Sequence, residues 1–268
     1  MEIEKLSQQG YDALSKGNYE KALSCWNEVL SLEPNNADAY INRGNTYAVT
    51  RHWDQAIKNY NEAIRLNPNY GLAYGNRGNT HYQKGELDEA MTDWSKAIQL
   101  NPNNAEIYYS RAGGYQTKKI WDKAIEDDNE AIRLSPNWPD VYYERGNAYR
   151  AKGDWNNAIS DWNETIRLNP KVSEPLNSLA WLLATCPNPL IRNGAKAVEA
   201  ATKACDLSEW KKWNHVGTLG AAYAEADDFA QAIKYQTQSM NMEGISEKYR
   251  IEAQQRLDLY KQQKPYHA

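Results

Sequence analysis

The stretch AYINRGNTYAVTRHWDQAIKNYNEAIRLNPN (Ala39–Asn69) decides the fold, because the chain writes it more than once. It returns as AYGNRGNTHYQKGELDEAMTDWSKAIQLNPN from Ala73 and as VYYERGNAYRAKGDWNNAISDWNETIRLNP from Val141. Prolines 34, 68, 102, 136 and 170 mark a constant spacing of 34 residues. A fixed period of this length means stacked supersecondary units rather than one sheet-centred core. Within the unit, Tyr40, Gly44 and Tyr47, then Ala56, Tyr60 and Ala63, recur three and four apart, the spacing of a helix face. The polar break RHWD, or KGELD in the next unit, separates two such helices. Proline after the second one ends it, since it cannot continue a helix and restricts the residue before it. Each unit therefore reads as an antiparallel helix pair, and the chain as all-α.

Outward from that core, five units stand in register at 3–36, 37–70, 71–104, 105–138 and 139–172. Their shared residues are an aromatic at repeat position 4, small residues at 8, 20 and 27, aromatics at 11 and 24, and proline at 32. Unit 37–70 supplies Tyr40, Gly44, Tyr47, Ala56, Tyr60, Ala63 and Pro68; unit 71–104 supplies Tyr74, Gly78, Ala90, Trp94, Ala97 and Pro102, with His81 at position 11. Unit 139–172 supplies Tyr142, Gly146, Tyr149, Ala158, Trp162 and Pro170, with Thr165 at position 27. Unit 3–36 is weaker, with Leu6, Gly10, Ala22, Trp26 and Pro34. Unit 105–138 departs with Ala112 at position 8 and Asp128 at position 24. An acid at a packing position is expected to be solvated or paired, because burying it alone is unfavourable.

This pattern resembles the tetratricopeptide repeat. The resemblance implies a right-handed superhelical solenoid of helix pairs. Beyond Pro170 the period breaks, and 173–212 and 213–244 read as two divergent units. In the first of these, CPNPLIRNG (Cys186–Gly194) makes a longer link; in the second, Gly220, Tyr223, Ala232 and Ser239 recover the pattern. A last amphipathic helix over 245–263, with Tyr249, Ala253, Leu257 and Tyr260 on one face, is expected to cap the open end.

Composition narrows the function. Ten Trp and 19 Tyr stand against a single Phe, and the net charge is −4. An acidic balance argues against a nucleic-acid partner, which requires a basic groove to neutralise phosphates. No apolar run reaches the roughly 18–20 residues of a membrane span. The N-terminal MEIEKLSQQGYDALSKGNYEKAL has no signal-peptide layout, so a cytoplasmic location is expected. Cys25, Cys186 and Cys205 are too few for a disulfide framework and read as small buried side chains. His52, His81, His215 and His267 fall in different units, without ligand spacing for a metal. No nucleophile elbow or phosphate loop occurs. The chain is read as non-catalytic, with no cofactor.

Two free helix faces remain. On the second helices, Lys58, Asn61, Glu62 and Arg65, or Glu126, Asn129, Glu130 and Arg133, read as a solvated surface with i,i+3 ion pairs. On the first helices, positions 2, 5, 6, 9, 12 and 13 oppose the packing stripe. The resemblance implies that this side lines the concave groove. It carries Asn42, Asn45, Asn76, Asn79, Tyr82, Tyr109, Ser110, Gln116, Tyr143, Asn147 and Arg150. Asparagine is a poor helix-interior residue, and its amide can pair with both polar groups of an extended peptide backbone. These residues are the candidate peptide- or partner-binding site, with Tyr82, Tyr109 and Tyr143 as apolar anchors. The other reading is that the amides bond to neighbouring helices. Arg43, Arg77, Arg111 and Arg145 at position 7 face Asp93, Asp127 and Asp161 at position 23 and read as intra-repeat ion pairs. Asn59 replaces the acid opposite Arg43, which leaves that arginine expected to be freer. Acids at position 2 (Asp38, Glu106, Asp140 and Glu174) suit a first helical turn.

Chaperone C-terminal carboxylates, gripped in this family by lysine and arginine at groove positions 2, 5 and 6, are not the expected ligand. Positions 2 and 5 here hold Asp38, Ile41, Leu72, Gly75, Glu106 and Tyr109. The leading expectation is an interaction scaffold for an extended peptide or protein segment. The alternatives are a self-associating subunit of a larger assembly and, behind it, a helical-repeat RNA reader.

Overall fold

The computed structural model describes residues 2–268. They form fifteen α-helices and no strand among the described residues. Two compact units divide at Pro136/Asn137. The first holds α1 (Glu2–Ser15), α2 (Tyr19–Leu32), α3 (Ala37–Val49), α4 (Trp53–Leu66), α5 (Gly71–Lys84), α6 (Leu87–Leu100), α7 (Ala105–Thr117) and α8 (Trp121–Leu134). The second holds α9 (Pro139–Lys152), α10 (Trp155–Leu168), α11 (Glu174–Thr185), α12 (Gly194–Leu207), α13 (Trp213–Glu225), α14 (Phe229–Met240) and α15 (Glu247–Lys261). The division falls between regular repeats and not at Pro170, where the period changes. In a stack whose members touch only their neighbours, no internal boundary carries a separate core.

Local chemistry explains each pair. Asn18, Asn36 and Asn104 accept backbone N–H bonds at the starts of α2, α3 and α7, and Asp154, Asn193, Asp228 and Ser246 do so for α10, α12, α14 and α15. The turn within the pair has a left-handed residue at repeat position 15. It is Gly17, Gly85 or Gly153 in three pairs and Arg51, Lys119 or Asp227 in three others, while the longer α11–α12 link has none at that position.

Packing runs along the predicted stripe. Trp26, Tyr60, Trp94 and Trp162 are buried to 1% exposure or less. Each ring lies over the position-8 glycine of its own repeat. A Cβ built on Gly10, Gly44, Gly78 or Gly146 would come within 2.6–2.8 Å of the ring. Glycine is therefore required there by close approach, not by backbone conformation. The fourth repeat breaks both halves of this fit together: Ala112 replaces the glycine and Asp128 replaces the ring. Asp128 is fully buried (0%), so solvation is not its solution. Without a ring at position 24, the Ala112 methyl group has room, and it is itself fully buried.

In the second unit the core is continuous from Ala158 and Trp162 through Leu176, Leu179, Leu182 and Leu183 to Val216 and Leu219. The link 186–193 is held by Arg192, whose Nη1 donates to the Cys186 and Pro187 carbonyls and whose Nε pairs with Glu225 at 2.9 Å. The α15 helix closes the last pair. Tyr260 (0%) packs with Ala224 and Ala232, and Tyr223 and Ile233 border them.

Candidate functional site

The arginines at repeat position 7 are consumed by the scaffold. Arg77 grips Asp93 with Nε and Nη2 at 2.7 and 2.6 Å, Arg111 grips Asp127 at 2.8 Å twice, and Arg145 grips Asp161 at 2.8 and 2.7 Å. Burial pushes the Asp127 and Asp161 carboxyls up from the ordinary aspartate range, against the pull of the arginine each one holds. The third nitrogen reaches back to the preceding repeat: Arg77 Nη1 to Asn61 at 2.5 Å and Arg111 Nη1 to Ser95 at 3.2 Å. Arg43, expected to be freer, is not. Its Nε donates to Asn59 Oδ1 and its Nη1 to Asn27 Oδ1, both at 2.8 Å. An amide oxygen replaces the carboxylate as acceptor, so losing the charge does not release the guanidinium.

The asparagines of the first helices are also used internally. Asn42 Nδ2 donates to the Tyr11 hydroxyl at 2.8 Å. Asn45 Oδ1 accepts from the Tyr60 hydroxyl at 2.8 Å and from Asn76 Nδ2 at 2.9 Å. Asn79 Oδ1 accepts from Trp94 Nε1 at 2.7 Å. The internal reading of these amides thus holds for one half of each. The other half stays open: the Asn42 and Asn76 side-chain oxygens and the Asn45 and Asn79 nitrogens carry no bond among the described residues. A side-chain amide has both donor and acceptor capacity, so bracing the fold with one leaves the other for a ligand.

Asn45, Asn76 and Asn79 come together in a depression of about 350 Å³, lined also by Ala48, Val49, Trp53, Tyr60, Thr80 and Gln83. Val49 is 57% exposed on α3, at the edge of the depression. Val49 and Gln83 both occupy repeat position 13, on the stripe opposite the packing face, so periodicity could have found them. Trp53 opens α4 and had no such signal.

Tyr82 is 40% exposed and leans on Trp94 with ring centres 5.6 Å apart. Tyr109, Ser110 and Gln116 are half-buried on α7. In the second unit, the partly buried Tyr143 ring packs against the core and its hydroxyl lies 3.3 Å from Ser178 Oγ. Asn147 donates to Glu144 at 3.4 Å, and Arg150 is exposed. The position-2 acids sit in first turns and are partly committed: Asp38 accepts from the Tyr70 hydroxyl and Glu174 pairs with Lys212.

The outer pairs Glu62–Arg65, Glu130–Arg133 and Glu164–Arg167 form at 2.6–2.8 Å between exposed arginines and partly exposed glutamates. All three cysteines are free and buried, and burial pushes the Cys205 thiol up to about 12. No group of three or more metal-ligating side chains occurs among the described residues.

Models of the tetratricopeptide repeat match residues 37–70, 139–172 and 59–92, and a further TPR repeat model matches 10–49 and 78–119. Together these cover more than half of the sequence. The chain belongs to the tetratricopeptide repeat family. Among solved structures, the MamA protein is similar at 25% identity and a TM-score of 0.56, over 63% of this chain and 93% of that one. YrrB, described as a TPR protein with an unusual peptide-binding site, is similar at 21% identity and a TM-score of 0.54, over 63% and 87%. The C-terminal part of a TPR repeat-containing protein from Cytophaga hutchinsonii is similar over 92% of this chain and 98% of that one, at 18% identity and a TM-score of 0.71. That similarity extends the fold assignment through the divergent repeats. No helix among the described residues is long and apolar enough to cross a membrane.

Proposed function

We propose that this tetratricopeptide repeat protein is a non-catalytic interaction scaffold that captures an extended peptide or protein segment on its first-helix side. The observation that carries this reading is the depression lined by Asn45, Asn76 and Asn79, with half of each amide uncommitted and Val49 exposed beside it. Open amide oxygens accept ligand backbone N–H groups, and the open nitrogens donate to ligand carbonyls. Neutral contacts of about 1 kcal/mol each would give only weak binding. The affinity therefore depends on apolar anchors: Val49 and Trp53 line the depression, and Tyr82 is exposed elsewhere on α5.

A displayed random-peptide library selected on the whole chain supplies ligands for the test. Those ligands should lose about 1–3 kcal/mol of binding on Asn76→Ala or Tyr82→Ala, measured by calorimetry. Glu62→Ala and Arg65→Ala, on the outer face, should leave binding unchanged. Loss of binding by the outer variants with retention by the inner ones would move the site to the other side of the helices.

A further inference from the structure

Beyond α15 the chain reverses and lies back on its own second unit. Gln263 adopts a left-handed conformation (φ 56), and Lys264 N–H donates to the Leu259 carbonyl at 3.0 Å, which turns the chain around. Residues 264–268 then run without helix or strand. Three contacts hold them. The Tyr266 ring lies 6.2 Å from that of Trp181, the His267 Nε2 lies 2.7 Å from Glu225 Oε2, and the Ala268 N–H donates to the Thr185 carbonyl at 2.8 Å.

The residues that receive this segment form a built site. Trp181 and Thr185 sit on α11, the first helix of its pair, at repeat positions 9 and 13, the same face that carries Asn79 and Val49 in the other unit. The Thr185 carbonyl closes α11, where a helix has no intrahelical donor to offer, so a passing backbone N–H fills a standing vacancy. Glu225 is fixed for its task by Arg192 at 2.9 Å.

Arg256 is the less expected member. It is only 5% exposed, and its Nε and Nη2 have no hydrogen-bond partner. Its guanidinium is instead surrounded by the faces of Tyr249 at 5.0 Å, Trp181 at 5.5 Å and Tyr266 at 5.8 Å. A buried cation without a carboxylate depends on those rings, and one of the three comes from the folded-back segment. Capping does not require that ring. Ala253, Leu257 and Tyr260 of α15 are buried to 6% or less and already cover the last pair, whereas Lys264, His267 and Ala268 are exposed.

We propose that Trp181, Thr185, Glu225 and Arg256 form a peptide-binding site, that its ligand is an extended segment carrying an aromatic residue followed by a basic one, and that residues 264–268 occupy the site as an intramolecular ligand. This rests on the reading that first-helix faces of this chain capture extended segments, and it names the ligand chemistry for one of them. The aromatic ring completes the cage around Arg256, the following basic group pairs with Glu225, and the main chain bonds to the end of α11. A competing segment must displace a tethered copy, whose effective concentration across so short a turn is on the order of millimolar.

The test uses a fluorescent peptide with the sequence of residues 262–268, titrated into the protein ended after Gln263, which keeps α15 whole. Saturable binding is expected, at least about tenfold tighter than to the full chain, where the resident segment competes. Trp181→Ala in the shortened protein should abolish the binding, and a peptide with alanine for tyrosine should not bind. The full chain with Tyr266→Ala should bind the peptide as the shortened protein does, and serves if shortening unfolds the unit. Equal binding to the shortened and full chains, or no binding up to millimolar peptide by proteins with unchanged circular dichroism, overturns the proposal. Failure here leaves the first unit's site intact, because ligands sensitive to Tyr82→Ala report on α5 alone.

Discussion

Adding the same methyl group at two glycines should move stability in opposite directions. Gly78 and Gly113 both lie in first helices, where alanine is favoured over glycine by about 1 kcal/mol. At Gly113 a Cβ meets nothing within 4 Å, so Gly113→Ala should keep that gain. At Gly78 the Cβ would stand 2.8 Å from Trp94 Cδ1, 2.9 Å from Nε1 and 3.2 Å from the Ala90 carbonyl oxygen. The ring cannot step aside cheaply: Trp94 is 1% exposed and its Nε1 is held by Asn79. Overpacking of this kind costs about 1–3 kcal/mol, and loss of the indole hydrogen bond about 1 more. After the propensity gain is subtracted, Gly78→Ala should destabilise by about 1–3 kcal/mol. At roughly 2–4 °C per kcal/mol, the two variants should melt on opposite sides of wild type. Circular dichroism gives the sign, and hydrogen exchange in α5 and α6 locates it, which matters because long repeat arrays need not unfold as one unit. Stabilisation by Gly78→Ala equal to that of Gly113→Ala would refute the claim that ring contact fixes the position-8 residue.

The same fit predicts coupling in the fourth repeat: Asp128→Trp alone should fail to stabilise, because the Ala112 methyl group occupies the space of the ring, while Asp128→Trp with Ala112→Gly should raise the melting temperature above either single change. A double-mutant cycle that shows simple additivity would sink this. Arg111→Ala should destabilise by about 3–5 kcal/mol in denaturant titration, because it leaves the buried Asp127 without its cation; a loss below about 1 kcal/mol would show the pair to be solvent-screened. His215 is 1% exposed, and burial holds its imidazole below the ordinary 6.5, with Lys212 adding to the shift and the Ala204 carbonyl and Glu174 opposing it. The unfolded chain therefore takes up a proton first as pH falls through 6.5, so this contribution is present above that pH and is lost below it. Melting of the second unit should fall between pH 7.5 and about 5.5, and His215→Gln should flatten the slope; an unchanged slope would assign it to other groups.

The fold could be read from the sequence because it is periodic. A spacing of 34 between prolines and small–aromatic pairs such as Gly44 with Tyr60 is written in the chain order itself, and each repeat needs only its neighbour. The intra-repeat ion pairs followed from the same bookkeeping, since positions 7 and 23 face each other across one helical hairpin. Where two repeats exchange partners, periodicity was silent. Arg43 faces no carboxylate in its own repeat, yet Asn59 of that repeat and Asn27 of the preceding one both hold it. Asn45 looked like a surface amide, yet it accepts from Asn76 of the next repeat. Asp128 is expected to be solvated or paired because an isolated acid is costly to bury; it is fully buried, and Ala112 in the same repeat matches the loss of the ring with a methyl group in place of glycine.

The second unit shows the limit most clearly. Trp181, Glu225, Arg256 and Tyr266 are scattered over 86 positions, in repeats where the period has lapsed, and no motif joins them. They meet because α15 stacks on the last pair and the chain after it doubles back. A repeat sequence specifies contacts one unit away with great redundancy, whereas the stretch beyond the last repeat offers only the single apolar face of α15. The α15 helix lies outside the repeat pattern, and it carries a side chain that the packing positions of the repeat do not, an arginine at 5% exposure. A cation in that position is tolerable only where aromatic faces surround it, and one of those faces comes from the folded-back segment. What makes Arg256 costly as a core residue is therefore what makes it suited to receive a ring from elsewhere.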